Sequence, residues 1–396
     1  MFTSITKKEL LQTLFEKWRI PRRVEQIMVS DALGRVAAED VRSLVSLPVC
    51  RAAQMDSVAV RSKDFLEGVP DAKGWVLGRD YAFADMGDDF PDAFDAAVPV
   101  EDVMFDRDGN VSFEPGLEVR PGFGVKRAGS TVATGSLLVE RGTLLRPFDI
   151  ASIQLGGVER VSVLKAPVVT FIPTGSELIP PGSALARGKC FDVNSAMAYG
   201  MLMELGAEVR LLPIVRDMRC ELAEVLEAAL LDSDIVLLNG GSSKGEADLN
   251  ARLLDEFAEV LCHGVAAAPG RPLCLALSRG GTPIVNVPGP PVALLHCFEW
   301  CVRPIVSHFL GIPTPMRPTV RARLDKALDF SGQMELLCFL KVSSSDSGYL
   351  ADPVSFKDVE LPEALRTGAY FLSELGRTRY DVGEEVDAVL LRGYTT

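Results

Sequence analysis

Residues 235–248, IVLLNGGSSKGEAD, constrain this chain more than any other stretch. Four apolar residues run straight into Asn239, Gly240 and Gly241, followed by Ser242, Ser243, Lys244, Gly245 and Glu246. A helix-compatible acidic segment covers residues 246–257. An apolar run ending in a Gly/Ser-rich turn and then a helix is the unit from which open α/β sheets build anion sites. Turn N–H groups and the helix N-terminus point at one place, and glycine lets a ligand approach the backbone. Asp248 falls in the first helical turn, where a carboxylate either caps the helix or holds a metal ion beside a bound phosphate. A tight βα turn without a ligand has the same sequence.

The flanking residues repeat the unit. Residues 168–172 read as a buried strand ended by Pro173-Thr174-Gly175-Ser176-Glu177. Asp192, Asn194 and Ser195 open a helix stopped by Gly206. Residues 208–215 form a strand, and Asp217 caps a helix over 218–231. Further strands are expected over 260–268, 273–277 and 283–287, the last ending at Pro288-Gly289-Pro290-Pro291, with a final helix over 292–309. Right-handed crossovers make this a doubly wound, mostly parallel sheet with its site at the strand C-terminal ends. The loops carrying Gly175, Glu177, Asp217, Gly240 to Asp248, Arg271 and Gly289 then converge.

Before the sheet, Ser4 is expected to cap a helix with Leu10, Leu11, Leu14, Phe15 and Trp18 on one face. A short strand over 25–29 and a helical piece over 30–33, stopped by Gly34, follow. Asp56 precedes a strand; as a plain turn residue it would need no ligand. Residues 63–139 read as a β-rich unit, with strands over 74–77, 97–100, 111–113 and 118–119. After the Pro-rich linker 313–318 the tail is strand-like, a small β domain. The expected organisation is an α/β multidomain chain. Residues 1–47 with 138–165 form a discontinuous linker and dimerisation domain, 48–137 the β-rich insert, 166–316 the α/β domain and 317–396 the C-terminal β domain.

A chain of 396 residues is too long for one ordinary core. Its net charge of −13 argues against non-specific nucleic-acid binding and offers no basic face to anionic membranes. No apolar run approaches a membrane span, and the first residues lack the pattern of a signal peptide. The eight scattered cysteines suit reduced, buried thiols in a cytoplasmic protein. His263, His296 and His308 do not form a metal set, and His296, Cys297 and Cys301 read as core packing on one helix. The Gly240-Gly241 turn lacks the G-x-G-x-x-G spacing of a nicotinamide site.

Several ordered motifs together resemble the molybdopterin molybdenumtransferases, the family that includes the E domain of gephyrin. Residues 32–41, ALGRVAAEDV, resemble the family's ALGRVLAEDV, and Thr174-Gly175-Ser176-Glu177-Leu178 resembles TGDEL. Asp192-Val193-Asn194-Ser195 resembles its D-x-N-S segment, and residues 240–248 resemble GGVSVGEAD. Pro269-Gly270-Arg271-Pro272 resembles KPGKP, and Pro288-Gly289-Pro290-Pro291 resembles PGNP. The resemblance implies an enzyme that takes adenylylated molybdopterin and molybdate, hydrolyses the adenylate with Mg²⁺ and inserts the metal with release of AMP. It also implies an elongated homodimer supplied by an upstream adenylyltransferase. Asp56, Asp217 and Asp248 would be catalytic, with Glu177, Asp217 and Asp248 holding Mg²⁺. Gly175, Glu177, Asp192, Asn194, Gly240, Gly241, Ser243, Lys244, Gly245, Glu246, Arg271, Pro288 and Gly289 would bind the substrate.

The departures are as specific. Of the family's DRSAMDGYA only Met55 and Asp56 of the core remain; the threonine of its Thr-Gly turn becomes Met86, and RAGED loses both acids at Ser130 and Thr131. The first lysine of KPGKP is Ala268, and the asparagine of PGNP is Pro290. A second reading is therefore a catalytically impaired paralogue that binds or carries the pterin cofactor. Surviving acids favour the enzyme; the thinned polar residues favour the carrier.

Overall fold

Two runs, Val168–Pro173 and Ile235–Asn239, are buried along their whole length, as expected of parallel strands covered on both faces. They pair with each other at the centre of a six-stranded sheet in the computed structural model, which describes residues 5–240, 249–346, 348–355 and 361–391. The expected site residues Gly241, Ser243, Lys244, Gly245, Glu246 and Asp248 lie outside the described residues, as does Ser4. The chain divides into two compact units, Val24–Leu164 and Met1–Arg23 with Lys165–Thr396.

In the sheet, the order is Glu208–Leu211, Val168–Pro173, Ile235–Asn239, Pro283–Val287, Cys274–Ser278, Ala258–His263. The first four strands are parallel. Cys274–Ser278 runs antiparallel to both of its neighbours. Its short connection to Pro283–Val287 turns through Gly280 and Gly281 (φ +87°), too tight for a crossover helix, so the two strands form a hairpin. Helices Asn194–Glu204, Arg219–Asp232 and Leu249–Phe257 connect the strands and Pro291–Cys297 follows the last of them, and Leu222, Leu226, Leu253 and Leu254 pack with Ile172, Val236, Leu238 and Ile284.

Several expected elements differ in detail. The strand expected over 208–215 stops at Leu211, because Pro213 has no N–H to give the ladder; Val215 rejoins it by donating to Pro173 O at 2.9 Å. The residue at the N-cap of the next helix is Met218, not Asp217, whose carboxylate is engaged elsewhere. The final helix is not continuous: Pro291–Cys297 passes through a wider π turn, Phe298–Val302, into Arg303–Leu310. Pro304 lacks the N–H that would bond back to Trp300, and the wider turn accommodates it. Helix Lys7–Lys17 is capped by Thr6, whose hydroxyl accepts from Glu9 N while the Glu9 carboxylate accepts from Thr6 N.

That helix docks on the sheet unit. Phe15 stacks on His308 at 4.0 Å between ring centroids, and Trp18 lies 6.0 Å from Phe309. Lys7 Nζ reaches His296 Nε2 at 2.8 Å and pairs with the Glu335 carboxylate. Cys297 and Cys301 are wholly buried, so core packing holds for both thiols; His296 is equally buried but fully hydrogen-bonded. All eight cysteines are free, and three of them, Cys50, Cys190 and Cys220, are exposed. Residues after the linker give five strands, Thr319–Leu324, Glu335–Ser345, Gly348–Ser355, Gly368–Leu372 and Glu385–Leu390, around Leu340, Phe371 and Ala388, and Ala267–Ala268 completes a second six-stranded sheet with them.

In the other unit, Val24–Met28 pairs antiparallel with Arg160–Leu164, and Val41–Arg42 with Leu137–Val139. A three-stranded sheet, Ala82–Ala84, Ser57–Val60, Ala96–Pro99, lies in the β-rich part. The strands expected over 74–77 and 118–119 are absent. Residues 74–80 instead form turns closed by Asp80, whose carboxylate accepts from Val76 N at 3.0 Å and pairs with Arg61 and Arg79. No described helix is long and apolar enough to cross a membrane.

Burial and the neighbouring Lys7 ammonium push the His296 imidazole down to about 3, so it stays neutral in the fold. An unfolded chain protonates this histidine near pH 6.5 and the native chain does not, so it removes stability as pH falls from about 6.5 towards 3. We expect the melting-temperature drop between pH 7 and pH 5 to be smaller for His296→Asn than for the parent, as read by parallel thermal scans.

Candidate functional site

The register of the central strands sets the site. Pro173 lies opposite Asn239, and Asn239 opposite Val287, so three turns leave the sheet at one level. They begin at Thr174, Gly240 and Pro288. A layer of buried asparagines ties them together. Asn239 O accepts from Thr174 N at 2.8 Å and Thr174 Oγ1 at 3.0 Å, and Asn239 Nδ2 donates to Pro288 O at 2.9 Å. Asn194 Nδ2 donates to Asn239 Oδ1 at 2.8 Å and to Gly289 O at 2.6 Å. Asn250 Nδ2 reaches Gly240 O at 2.9 Å, and Gly240 N donates to Val287 O at 3.1 Å. In a dry interior each such bond prevents the desolvation cost of an unpaired amide. Asn194 Oδ1 is also buried but has no partner among the described residues.

Gly240 is required by geometry. Its φ is +113°, and a Cβ there would sit 2.5 Å from Thr174 O. The strand end and the neighbouring turn therefore approach more closely than any side chain permits.

The acidic half of the site lies on the turn after Val168–Pro173. Ser176 N donates to Asp217 Oδ2 at 3.0 Å, and Asp217 N donates to Ser176 Oγ at 3.2 Å. This reciprocal pair explains why Asp217 does not cap its helix. Lys189 Nζ donates to Ser176 O at 2.6 Å, and the exposed Glu177 follows in the same turn. Glu177 and Asp217 thus frame Ser176 with exposed carboxylates. Asp192 plays a different part: its carboxylate accepts from Ser195 N at 3.0 Å and Ser195 Oγ at 2.5 Å, closing the first turn of Asn194–Glu204. Among the described residues no three histidines, cysteines or acids group as a metal site.

Arg271 is exposed on the loop between Ala258–His263 and Cys274–Ser278. Cys274 opposes Asn286, so this loop leaves the same end of the sheet as the three turns. The loop is closed by Val265 N donating to Arg271 O at 2.9 Å and Leu273 N to Gly270 O at 3.1 Å. Asp56, in the other unit, accepts from Met86 N at 2.8 Å in the turn before Ser57–Val60.

The sheet end thus gathers Gly175, Glu177, Asp217, Asn194, Gly240, Pro288, Gly289 and the Arg271 loop. Sequence reasoning missed Asn239, Asn250, Asn286, Thr174 and Ser176 as site-forming residues. The signal was present in two of them: Asn239 ends IVLLN and Asn286 interrupts PIVNV, polar residues in runs too apolar to leave them exposed.

Residues 5–157 match the family described as "MoeA N-terminal region (domain I and II)" and residues 170–308 the "Probable molybdopterin binding domain". Molybdopterin molybdenumtransferase 2 of Mycobacterium tuberculosis is 30% identical over 332 residues, 76% of this chain and 79% of that protein. The chain belongs to the molybdopterin molybdenumtransferase family. The Bacillus subtilis molybdopterin molybdenumtransferase is 27% identical over 93% of this chain and 90% of its own length. A solved MoeA protein of molybdopterin biosynthesis from Pyrococcus horikoshii superposes with a TM-score of 0.79 at 27% identity, covering 99% of this chain and 100% of that one. As a molybdopterin molybdenumtransferase the chain is a transferase of molybdenum cofactor biosynthesis, and the carrier reading is not favoured.

Replacing Gly240 by Ala should cost roughly 2 kcal/mol or more, since both φ and the Thr174 carbonyl oppose a side chain. Gly289→Ala meets only Gly240 Cα at 3.8 Å, an ordinary contact, and should stay within about 0.5 kcal/mol. Denaturant unfolding of the two variants side by side measures the contrast.

Proposed function

We propose that this chain inserts molybdate-derived metal into adenylylated molybdopterin with release of AMP, at the C-terminal end of the parallel sheet. The observation that carries the reading is the Ser176–Asp217 pair, which holds two exposed carboxylates on a turn level with the glycine-only strand end at Gly240. In this reading the glycine-only strand end at Gly240 leaves room for the phosphate to approach the backbone. Pro288 and Gly289 wall the pocket, and Asn194 Oδ1, a buried acceptor without a partner among the described residues, takes a substrate N–H. Arg271 grips the oxyanion, for which a planar guanidinium offers paired donors.

Hard carboxylate oxygens are the donors Mg²⁺ takes, and Asp217 keeps Oδ1 uncommitted to Ser176. Glu177, Asp217 and Asp248 would hold the ion, which when bound neutralises charge developing on the phosphoryl oxygens. We assign the protein to the cytoplasm, downstream of an adenylyltransferase that supplies the adenylate.

Asp217→Asn keeps an oxygen for Ser176 N while removing the charge, so stability should change by no more than about 1 kcal/mol. AMP release from adenylylated molybdopterin, by contrast, should fall by about two orders of magnitude or more, the usual cost of losing a stabiliser of developing charge. Pterin binding by calorimetry should persist. Equal turnover by parent and variant would remove Asp217 from the chemistry. The family architecture further leads us to expect a homodimer, and light scattering that returns a monomer mass at micromolar concentration would contradict it.

A further inference from the structure

We propose that His296 is a positioning residue for the Pro269–Arg271 loop, through which the N-terminal helix and the C-terminal β domain fix the presentation of Arg271 to the oxyanion. The proposal rests on the reading of Arg271 given above.

His296 is only 1% exposed, yet every polar atom of its ring is used. Nδ1 lies 2.6 Å from Pro269 O, a carbonyl that only accepts, so the ring proton sits on Nδ1. Nε2 is then the acceptor for Lys7 Nζ at 2.8 Å, and Lys7 pairs in turn with Glu335. The result is a directed chain, Glu335 to Lys7 to His296 to Pro269 O, that ends two residues before Arg271. Lys7 belongs to the N-terminal helix, His296 to the helix after Pro288-Gly289, and Glu335 opens the strand Glu335–Ser345 of the C-terminal domain.

Backbone contacts brace the same loop from the other side. Ala267 and Ala268 pair parallel with Glu335 and Leu336, and Glu335 N donates to Ala266 O at 3.0 Å. Ala266 N donates to Ile5 O at 3.0 Å. Below the loop, a Cβ on Gly270 would sit 2.5 Å from Cys297 Sγ, so the helix carrying His296 supports the loop without a gap. The loop is therefore held at Pro269 by a side chain, at Gly270 by close packing and at Ala267–Ala268 by a strand of another domain. Arg271 follows directly on these restraints, so its backbone is held in place. A loop so anchored loses little freedom when it binds an anion, which is the usual route by which positioning residues raise affinity.

The test uses the full-length protein with molybdate as the variable substrate. His296→Leu fills the volume but removes the donor to Pro269, and should raise KM for molybdate about tenfold while kcat at saturation stays within about threefold. KM for adenylylated molybdopterin should be unchanged. His296→Asn places an amide N–H where Nδ1–H was and should recover molybdate KM to within about threefold of the parent. If His296→Leu does not fold, Lys7→Met and Glu335→Gln interrupt the same chain further out; each should raise molybdate KM, and the double variant should equal the stronger single one. A folded His296→Leu with parental molybdate KM, or a His296→Asn as impaired as His296→Leu, overturns the proposal. Arg271→Ala separates the two levels. If it leaves molybdate KM unchanged, the oxyanion role of Arg271 falls; if it raises KM and His296→Leu does not, only the positioning role falls.

Discussion

The site depends first on one amide, the side chain of Asn239. Its backbone oxygen gathers two donors from Thr174, its Nδ2 binds the carbonyl of Pro288, and its Oδ1 takes the amide of Asn194. Three strand ends are thereby locked together at a level where the residue is only 2% exposed. Nothing else in a dry sheet end could replace these bonds, because water does not reach them and an unmade bond carries the full desolvation penalty. The rigidity of these turns is a consequence of polar chemistry placed beneath them, where the strand pattern alone would call for another valine.

The chain carries a net charge of −13, and two of the cations near this sheet end are already engaged. Lys189 is spent on the carbonyl of Ser176, and Lys7 on the His296–Glu335 chain. Arg271 is exposed on its loop, and Glu177 and Asp217 present exposed carboxylates on the neighbouring turns, so this sheet end carries both signs of charge. The C-terminal β domain enters this arrangement through Glu335, so a domain that carries none of the acids still shapes the loop that bears Arg271.

Much of this was legible in the amino-acid order. Apolar runs ended by Gly, Asn and Pro announced the sheet and the level of its site, and the spaced motifs announced the family. The antiparallel hairpin was harder to see, because the alternation of residues 273–287 is the same for either strand direction and only the brevity of the Gly280-Gly281 turn decides it. The capping role expected of Asp217 failed because a partner distant in sequence, Ser176, competed for its carboxylate. His296 read as core packing since no local pattern reveals that Lys7 and Glu335 arrive beside it. Pairings between residues far apart in the chain leave no periodic trace, and those pairings are what the site is made of.

The contrast between the hairpin and the central strands has a consequence for the order of assembly. Cys274–Ser278 and Pro283–Val287 meet by closing a short turn, a step with little loop entropy to overcome. Val168–Pro173 and Ile235–Asn239 meet only after a whole crossover unit has been drawn in between them, a far less local event. The edge of the sheet therefore has the means to form early and serve as a template, and the paired strand ends that carry Thr174, Asn239 and Gly240 come together late. In this molecule the turns at Thr174 and Gly240 are therefore expected to close late in folding, once the crossover joining their strands is in place.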